Sequence, residues 1–264
     1  MKRFIILLLL TIWSMTCLAQ TDTIFNQTDH LNRKQGYWKK HYKNGNTAYK
    51  GYFKNDKPLK TLTRYHENGI MSIKMDFSHC GDTAQAIIYN TLGRKVATGK
   101  YYKQQKHGKW VYTNASGKII FSEEYKEGKK HGKFTNYFST GEVFEEISWK
   151  NGIKDGPTIL YFINGQIKSM LFYKNGKANG PIRLYYTDGN FRLEGQYKDG
   201  LKDGTWKFYD LAGNIAKQIS YSMGKAANHD EIAERETKEL EELLKNAGKI
   251  QEPSVEDFLR GQGR

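Results

Sequence analysis

From residue 34 to residue 225 the chain is a succession of short runs in which apolar and polar side chains alternate, each closed by a glycine. Residues 130–152 show the unit. An aromatic segment around Phe134, Tyr137 and Phe138 leads into Ser139-Thr140-Gly141, and Val143, Glu145, Ile147 and Trp149 then alternate up to Lys150-Asn151-Gly152. Alternation with period 2, bounded by Thr-Gly, Asn-Gly and Asp-Gly, predicts β-hairpins. Glycine belongs at such turns because they need a positive φ that a Cβ penalises.

The unit recurs without insertion or deletion. Gly45, Gly69, Gly93, Gly117, Gly141, Gly165, Gly189 and Gly213 stand 24 residues apart, and eight residues after each comes Phe53, Phe77, Tyr101, Tyr125, Trp149, Tyr173, Tyr197 or Tyr221. Self-similarity at a fixed period means one structural unit copied along the chain. The expected fold is all-β: an elongated single antiparallel meander of about eight hairpins over residues 34–225, roughly 75 Å long at about 4.8 Å per strand.

Two further glycine sets mark the units. Gly108, Gly132, Gly156, Gly180 and Gly204, with Gly36 in phase, predict the second turn, and Lys60 and Ala84 fill the missing rungs. Gly128, Gly152, Gly176, Gly200 and Gly224 close the last five units. Pro157 and Pro181 each follow a ladder glycine and are expected at strand starts, where a missing N–H is tolerated.

Reading the columns assigns the packing. The second position after each ladder glycine (Thr47, Met71, Lys95, Ile119, Val143, Ile167, Phe191, Ile215) and the eighth are separated by an even number, so both should face one side of the sheet. The first strand of the unit adds Trp38, Trp110, Phe134 and Trp206, and Tyr137, Tyr161, Tyr185 and Tyr209. Only 38% of residues are hydrophobic, which fits one aromatic face and one lysine-rich face better than a globular core.

The two ends differ from the array. Lys2 and Arg3 precede an apolar run from Phe4 to Trp13, and Ser14 to Ala19 ends in a small residue, the pattern of an export signal over residues 1–19 cut after Ala19. The run is about half the roughly 20 apolar residues a membrane span needs, so no transmembrane segment is expected after cleavage. Lipidation at Cys17 fits less well, because Ser14 stands where a lipidation box wants Leu, Val or Ile. Residues 20–33 form a lead-in. Residues 226–248, with Ile232, Leu240, Leu243 and Leu244, predict a helix that caps the open edge of the last hairpin or binds a partner. Residues 249–264 read as a disordered tail.

Charge narrows the partners. The formal net charge is +14, and residues 226–264 hold six Lys/Arg against ten Asp/Glu, so the array is strongly basic and its tail acidic. A basic body favours anionic partners such as lipid headgroups or acidic glycans, and an exported chain makes nucleic acid the least expected of them. Loss of residues 1–19 would leave Cys80 alone, so no internal disulfide is expected.

Candidate chemistry is sparse. His107 and His131 occupy equivalent positions, but successive repeats lie about 9.6 Å apart by strand spacing and zinc needs ligand atoms about 2 Å from the metal. Asp155, Asn179 and Asp203 replace them in other repeats, which is turn chemistry. Glu123-Glu124 and Glu145-Glu146 project to opposite faces and cannot form an acid/base pair. No nucleophile triad, phosphate loop or CxxC is present, so no enzyme activity, cofactor or metal is expected. The aromatic ladder remains: Tyr101, Tyr125, Trp149, Tyr173, Tyr197 and Tyr221 either cover the sheet or form an interaction face for sugar, peptide or lipid.

Residues 125–132 (Tyr-Lys-Glu-Gly-Lys-Lys-His-Gly) and 173–180 (Tyr-Lys-Asn-Gly-Lys-Ala-Asn-Gly) look like MORN repeats. The array over about 34–224 resembles the bacterial MORN-variant proteins labelled YwqK-like antitoxins, with residues 57–104 departing from the pattern. The resemblance implies an extended hairpin array acting in protein or lipid interaction, with no catalytic residues to carry over. Three functions follow as expectations: an exported scaffold binding a protein or envelope component, an antitoxin-type inhibitor, or a carbohydrate-binding module. An export signal conflicts with neutralising a toxin inside the cell unless the partner is exported too.

Overall fold

The computed structural model describes residues 23–227 and, beyond them, Lys238, Leu240, Glu241, Glu242 and Lys245. The expected leader, most of the expected helix and the expected tail lie outside the described residues. The strands are β1 Gln27–Thr28, β2 Lys34–His41, β3 Thr47–Lys54, β4 Lys57–Tyr65, β5 Met71–Phe77, β6 Thr83–Tyr89, β7 Lys95–Tyr102, β8 Gln105–Thr113, β9 Ile119–Lys126 and β10 Lys129–Lys130. They continue as β11 Gly132–Tyr137, β12 Val143–Lys150, β13 Ile153–Tyr161, β14 Ile167–Lys174, β15 Lys177–Tyr185, β16 Phe191–Lys198, β17 Leu201–Tyr209, β18 Ile215–Ser222 and β19 Lys225–Ala226.

All 19 strands form one open antiparallel sheet in which chain neighbours pair. β10 and β11 are two parts of one strand against β9, so β2 to β18 amount to the sixteen strands that eight hairpins require. β1 and β19 extend the meander by two residues at each end.

Two kinds of turn alternate. Lys150 pairs with Ile153 across a two-residue loop in which Asn151 and Gly152 have φ of 54° and 85°. Two consecutive positive φ values make a type I′ turn, whose twist matches that of the strands it joins. The same loop recurs at Lys174↔Lys177 and Lys198↔Leu201. The longer turns carry the first glycine ladder, as at Gly165, whose N–H donates to the Phe162 carbonyl at 2.9 Å. These turns also bond to one another. Asn44 and Asn68 each donate from the side chain to a carbonyl one repeat on, Glu67 O at 2.8 Å and Thr91 O at 3.0 Å.

Several sequence expectations are corrected. Gly108, Gly156, Gly180 and Gly204 do not make a turn; they lie inside β8, β13, β15 and β17. Gly156 and Gly180 adopt φ of 112° and 116° beside register shifts, such as the one between Ile147 and Trp149 on β12. These are β-bulges, which insert an extra residue and increase local twist. Pro157 and Pro181 therefore sit in mid-strand next to a bulge, a position that dispenses with the ladder N–H.

A further bulge near each long turn overturns the face assignment of the second-position column. Leu184 pairs with Leu193 but Tyr185 pairs with Phe191, so one residue of β16 is passed over and the parity flips. Phe191 consequently packs against Tyr185 and Tyr209, at centroid distances of 5.2 and 6.0 Å. Its face is the one on which Tyr209 donates to Glu194 at 2.7 Å. Tyr161 donates likewise to Glu146 at 3.1 Å. The tyrosine column 137, 161, 185, 209 thus belongs to a polar face of tyrosine, glutamate and basic side chains. Lysines are not confined there, because a regular row of them lies on the aromatic face.

Repeats two and three are irregular for a visible reason. β5 and β6 keep one register from Ile73↔Ile88 to Phe77↔Ala84 with no bulge, and the surplus residues go into a longer loop at 78–82. The free thiol Cys80 is exposed in that loop.

Helical positions at Lys238, Leu240, Glu241, Glu242 and Lys245 accord with the expected helix. Its docking differs from an edge cap. Leu240 is buried among Leu171, Tyr197, Trp206 and Ile219 on the aromatic face itself.

Candidate interaction face

The aromatic face is built from three columns. The eighth-position aromatics come from the second strand of each hairpin. The first strand supplies Trp110, Phe134 and Trp206, and Trp110 and Trp206 are wholly buried. Trp206 is wedged between Tyr197 and Tyr221, with centroids at 5.2 and 5.7 Å in edge-to-face geometry. Tyr101 meets Trp110 in the same way at 5.1 Å. Each indole has room because the facing residue is glycine: a Cβ on Gly99 or Gly195 would collide with the ring of Trp110 or Trp206.

The third column is lysine. Lys34, Lys106, Lys130, Lys154 and Lys202 share one phase of the 24-residue period. Lys106 Nζ lies over Trp110 at 4.9 Å and Tyr125 at 4.8 Å. Lys130 lies over Phe134 and Trp149, at 5.4 and 5.2 Å. Lys154 lies over Tyr173 at 5.2 Å. Lys202 covers Trp206 and Tyr221, at 5.1 and 5.3 Å. Cation–π attraction of this kind contributes about 0.5–2 kcal/mol, more as water is excluded. Desolvation pushes the ammonium pKa of Lys106, Lys154 and Lys202 down, and a nearby glutamate opposes that in each case.

Carboxylates answer these lysines from within the face. Glu123 is only 2% exposed and accepts hydrogen bonds through Oε1 from Tyr112 at 2.9 Å and Tyr125 at 2.6 Å. Lys106 Nζ donates to the Tyr112 hydroxyl at 2.6 Å and lies 3.7 Å from Glu123. Lys130 Nζ lies 3.2 Å from Glu123 Oε2. Glu145, fully buried, accepts from Asn136 at 3.2 Å. Glu241 reaches Lys202 at 3.6 Å from outside the array. Burial, reinforced by the charge of Glu123, pushes the hydroxyl pKa of Tyr112 and Tyr125 well above 10.

Toward the N-terminal end the face is not filled. The column that holds Trp110 and Phe134 carries Leu62 and Ala86 there. Two adjoining hollows of about 410 and 600 Å³ share Tyr49, Arg64, Ile73 and Tyr101. The first also takes in Lys34, Phe53 and Asp56; the second takes in Lys40, His41 and His66. Arg64 is exposed and flanked in register by Tyr49 and Ile73. Its positive charge acts on Tyr101, and among the described residues no carboxylate pairs with it.

The six ladder residues thus share one face but not one environment. Tyr125, Trp149, Tyr173, Tyr197 and Tyr221 are engaged by this chain's own lysines, Trp206 or Glu123. Tyr101 packs on Trp110 and also lines the trough. Sequence reading passed over the lysine row and Arg64, and weighed Glu123 and Glu145 only as acid/base partners of Glu124 and Glu146, not as carboxylates buried in the face. The signal was present, since Glu123 falls in a column with Ile147, Leu171 and Ile219, and the lysine phase recurs five times. His131 Nδ1 lies 3.3 Å from Asn151 Oδ1, a turn contact. Among the described residues no three His, Cys, Asp or Glu side chains are grouped to hold a metal ion, and no helix is long and apolar enough to cross a membrane.

A family model described as a MORN repeat variant matches residues 130–151, 154–175 and 202–223. Each match begins at a lysine of the row and runs through both strands of a hairpin. These three units are similar to MORN-variant repeats, and their hairpins stack side by side in one continuous repeat array. No curated protein matches the chain. Among solved structures, an S. aureus TarM mutant in complex with fondaparinux, α-GlcNAc-glycerol and UDP is 10% identical over 36% of this chain and 19% of that one, with a TM-score of 0.28. A GtfA/B complex bound to UDP and GlcNAc is 19% identical over 42% of this chain and 22% of that one, with a TM-score of 0.21. The chain spans about a fifth of the length of these two, and overlaps of this quality carry no argument about function.

Proposed function

We propose that the chain is a non-catalytic, exported scaffold that holds a protein or an anionic envelope component on the aromatic face of its sheet. The observation that carries this reading is the trough around Arg64, which aromatic rings line and where, among the described residues, no carboxylate pairs with the guanidinium. Aromatic and arginine side chains are the usual anchors of interfaces, and a site that excludes water strengthens both. The non-catalytic part rests on the carboxylates of this face, since Glu123 is tied to two tyrosines and two lysines. Export rests on the apolar run after Lys2 and Arg3, and mass spectrometry of the secreted form should find Gln20 at its N-terminus. An antitoxin-type role is the same scaffold with an exported toxin as partner.

The test compares the parent with Lys40→Glu/Arg64→Glu on immobilised full-length protein exposed to envelope extract. The parent should retain components that the charge-reversed variant releases, with equal melting temperatures for the two. Identical retention by both would remove the trough from the function.

A further inference from the structure

The molecule already shows how this face takes up a segment from outside the array. Leu240 enters the cluster around Tyr197 and Trp206, and the adjacent Glu241 sets its carboxylate 3.6 Å from Lys202. Lys106 and Lys130 are met by Glu123 within the sheet, and Lys154 lies in the field of Glu145. The row therefore follows one rule: an ammonium over an aromatic ring, with a carboxylate against it.

Lys34 is the rung at which the described residues supply no carboxylate. Its Nζ lies over Trp38, Tyr49 and Phe53 at 4.9, 5.2 and 5.0 Å and donates to the Tyr49 hydroxyl at 2.9 Å. Among the described residues no carboxylate pairs with that ammonium. Asp56 is close but accepts from the Lys34 backbone N–H at 2.9 Å. Arg64 lines the same hollow, so two cations flank an apolar floor of Phe53, Ile73 and Tyr101. The adjoining hollow adds Lys40.

We infer that the trough at Lys34 and Arg64 is the docking site for an acidic amphipathic helix of a partner protein, seated as Leu240 and Glu241 are seated at Lys202. An apolar side chain fills the floor and a neighbouring carboxylate bridges Lys34 and Arg64. The chemistry favours arginine here, because a guanidinium takes a carboxylate in two parallel hydrogen bonds. Leu240 and Glu241 already occupy the far end of the face, and groups of the same chain hold such a place against competitors in solution through their high effective concentration. The inference rests on the scaffold reading and adds the class of partner.

The probe is a fluorescein-labelled peptide of residues 229–248 of this chain, titrated into the full-length protein and followed by anisotropy. Binding is expected, weakened about tenfold by Arg64→Glu and severalfold by Lys34→Met. A scrambled peptide of the same composition should not bind. Affinity unchanged in Arg64→Glu, or equal affinity for the scrambled peptide, overturns the inference. So does Arg64-dependent uptake of anionic phospholipid vesicles or of an acidic oligosaccharide with no uptake of the peptide. That last result leaves the scaffold reading intact, whereas envelope retention indifferent to Lys40→Glu/Arg64→Glu defeats the scaffold reading itself.

Discussion

Glu123 is the residue on which the middle of the aromatic face depends. Its column is apolar in other repeats, yet here a carboxylate is taken out of water and held by two hydroxyls and two ammonium groups. Removing one member of a buried ionic group leaves the others uncompensated, which costs more than replacing the whole group with apolar side chains. Glu123→Leu alone should destabilise by about 3 kcal/mol, the low end for buried pairs, because Lys106 and Lys130 keep some solvent. Adding Lys106→Met and Lys130→Met should bring the protein back to within about 1 kcal/mol of the parent. Urea denaturation of the three proteins measures both differences. A triple variant no more stable than the single one would mean that the lysines serve packing rather than charge.

At the scale of the hairpin, the bulge is the feature on which the repeats differ. Most bulges carry glycine, but in the second repeat Lys60 takes φ of 59°. A residue with a Cβ pays about 1–2 kcal/mol for that region. Lys60→Gly should therefore stabilise by up to about 1 kcal/mol, after the greater entropy of glycine in the unfolded chain and the contact of Lys60 with Tyr52 are counted. Thermal melting of the single variant checks the sign. The hairpins themselves were legible, because a 24-residue glycine spacing and Asn-Gly pairs carry the turn chemistry in the residue types. The bulges were not. One kind showed only as the glycine ladder Gly108 to Gly204, which reads as a turn. The kind near each long turn leaves no spacing signature, since an extra residue in every unit is absorbed into the period, so that Phe191 and Tyr197 end on opposite faces despite their even separation. The trough was illegible for a related reason: it arises from what Leu62 and Ala86 fail to fill, and a vacancy has no motif. The docking of Leu240 was half legible. Its amphipathic stripe gave the helix, but nothing local says whether a helix covers an edge or a face.

Over the whole molecule, the titrating groups of the aromatic face set how stability follows pH. Lys106, Lys154 and Lys202 have folded pKa values below the ordinary 10.5, chiefly through desolvation. Between those lowered values and 10.5 the unfolded chain binds more protons than the folded one, so stability rises with pH across that window. Tyr112, Tyr125 and Tyr197 have folded values raised above 10, again chiefly through desolvation, with the charges of Glu123 and Glu241 adding to it. Their contribution is whole below 10 and is lost as pH climbs beyond it, because the unfolded tyrosines ionise first. The net charge of +14 at pH 7 acts with the lysines, since its self-repulsion fades as pH increases. The melting temperature should therefore rise gently from neutral pH toward about 10 and fall steeply above it. Phenolate absorbance supplies the second readout. Tyr112, Tyr125 and Tyr197 should ionise only as the β-sheet circular dichroism disappears. A single normal titration of every tyrosine, with the sheet still folded, would mean that water reaches the aromatic face throughout and that the lysine row does not close it.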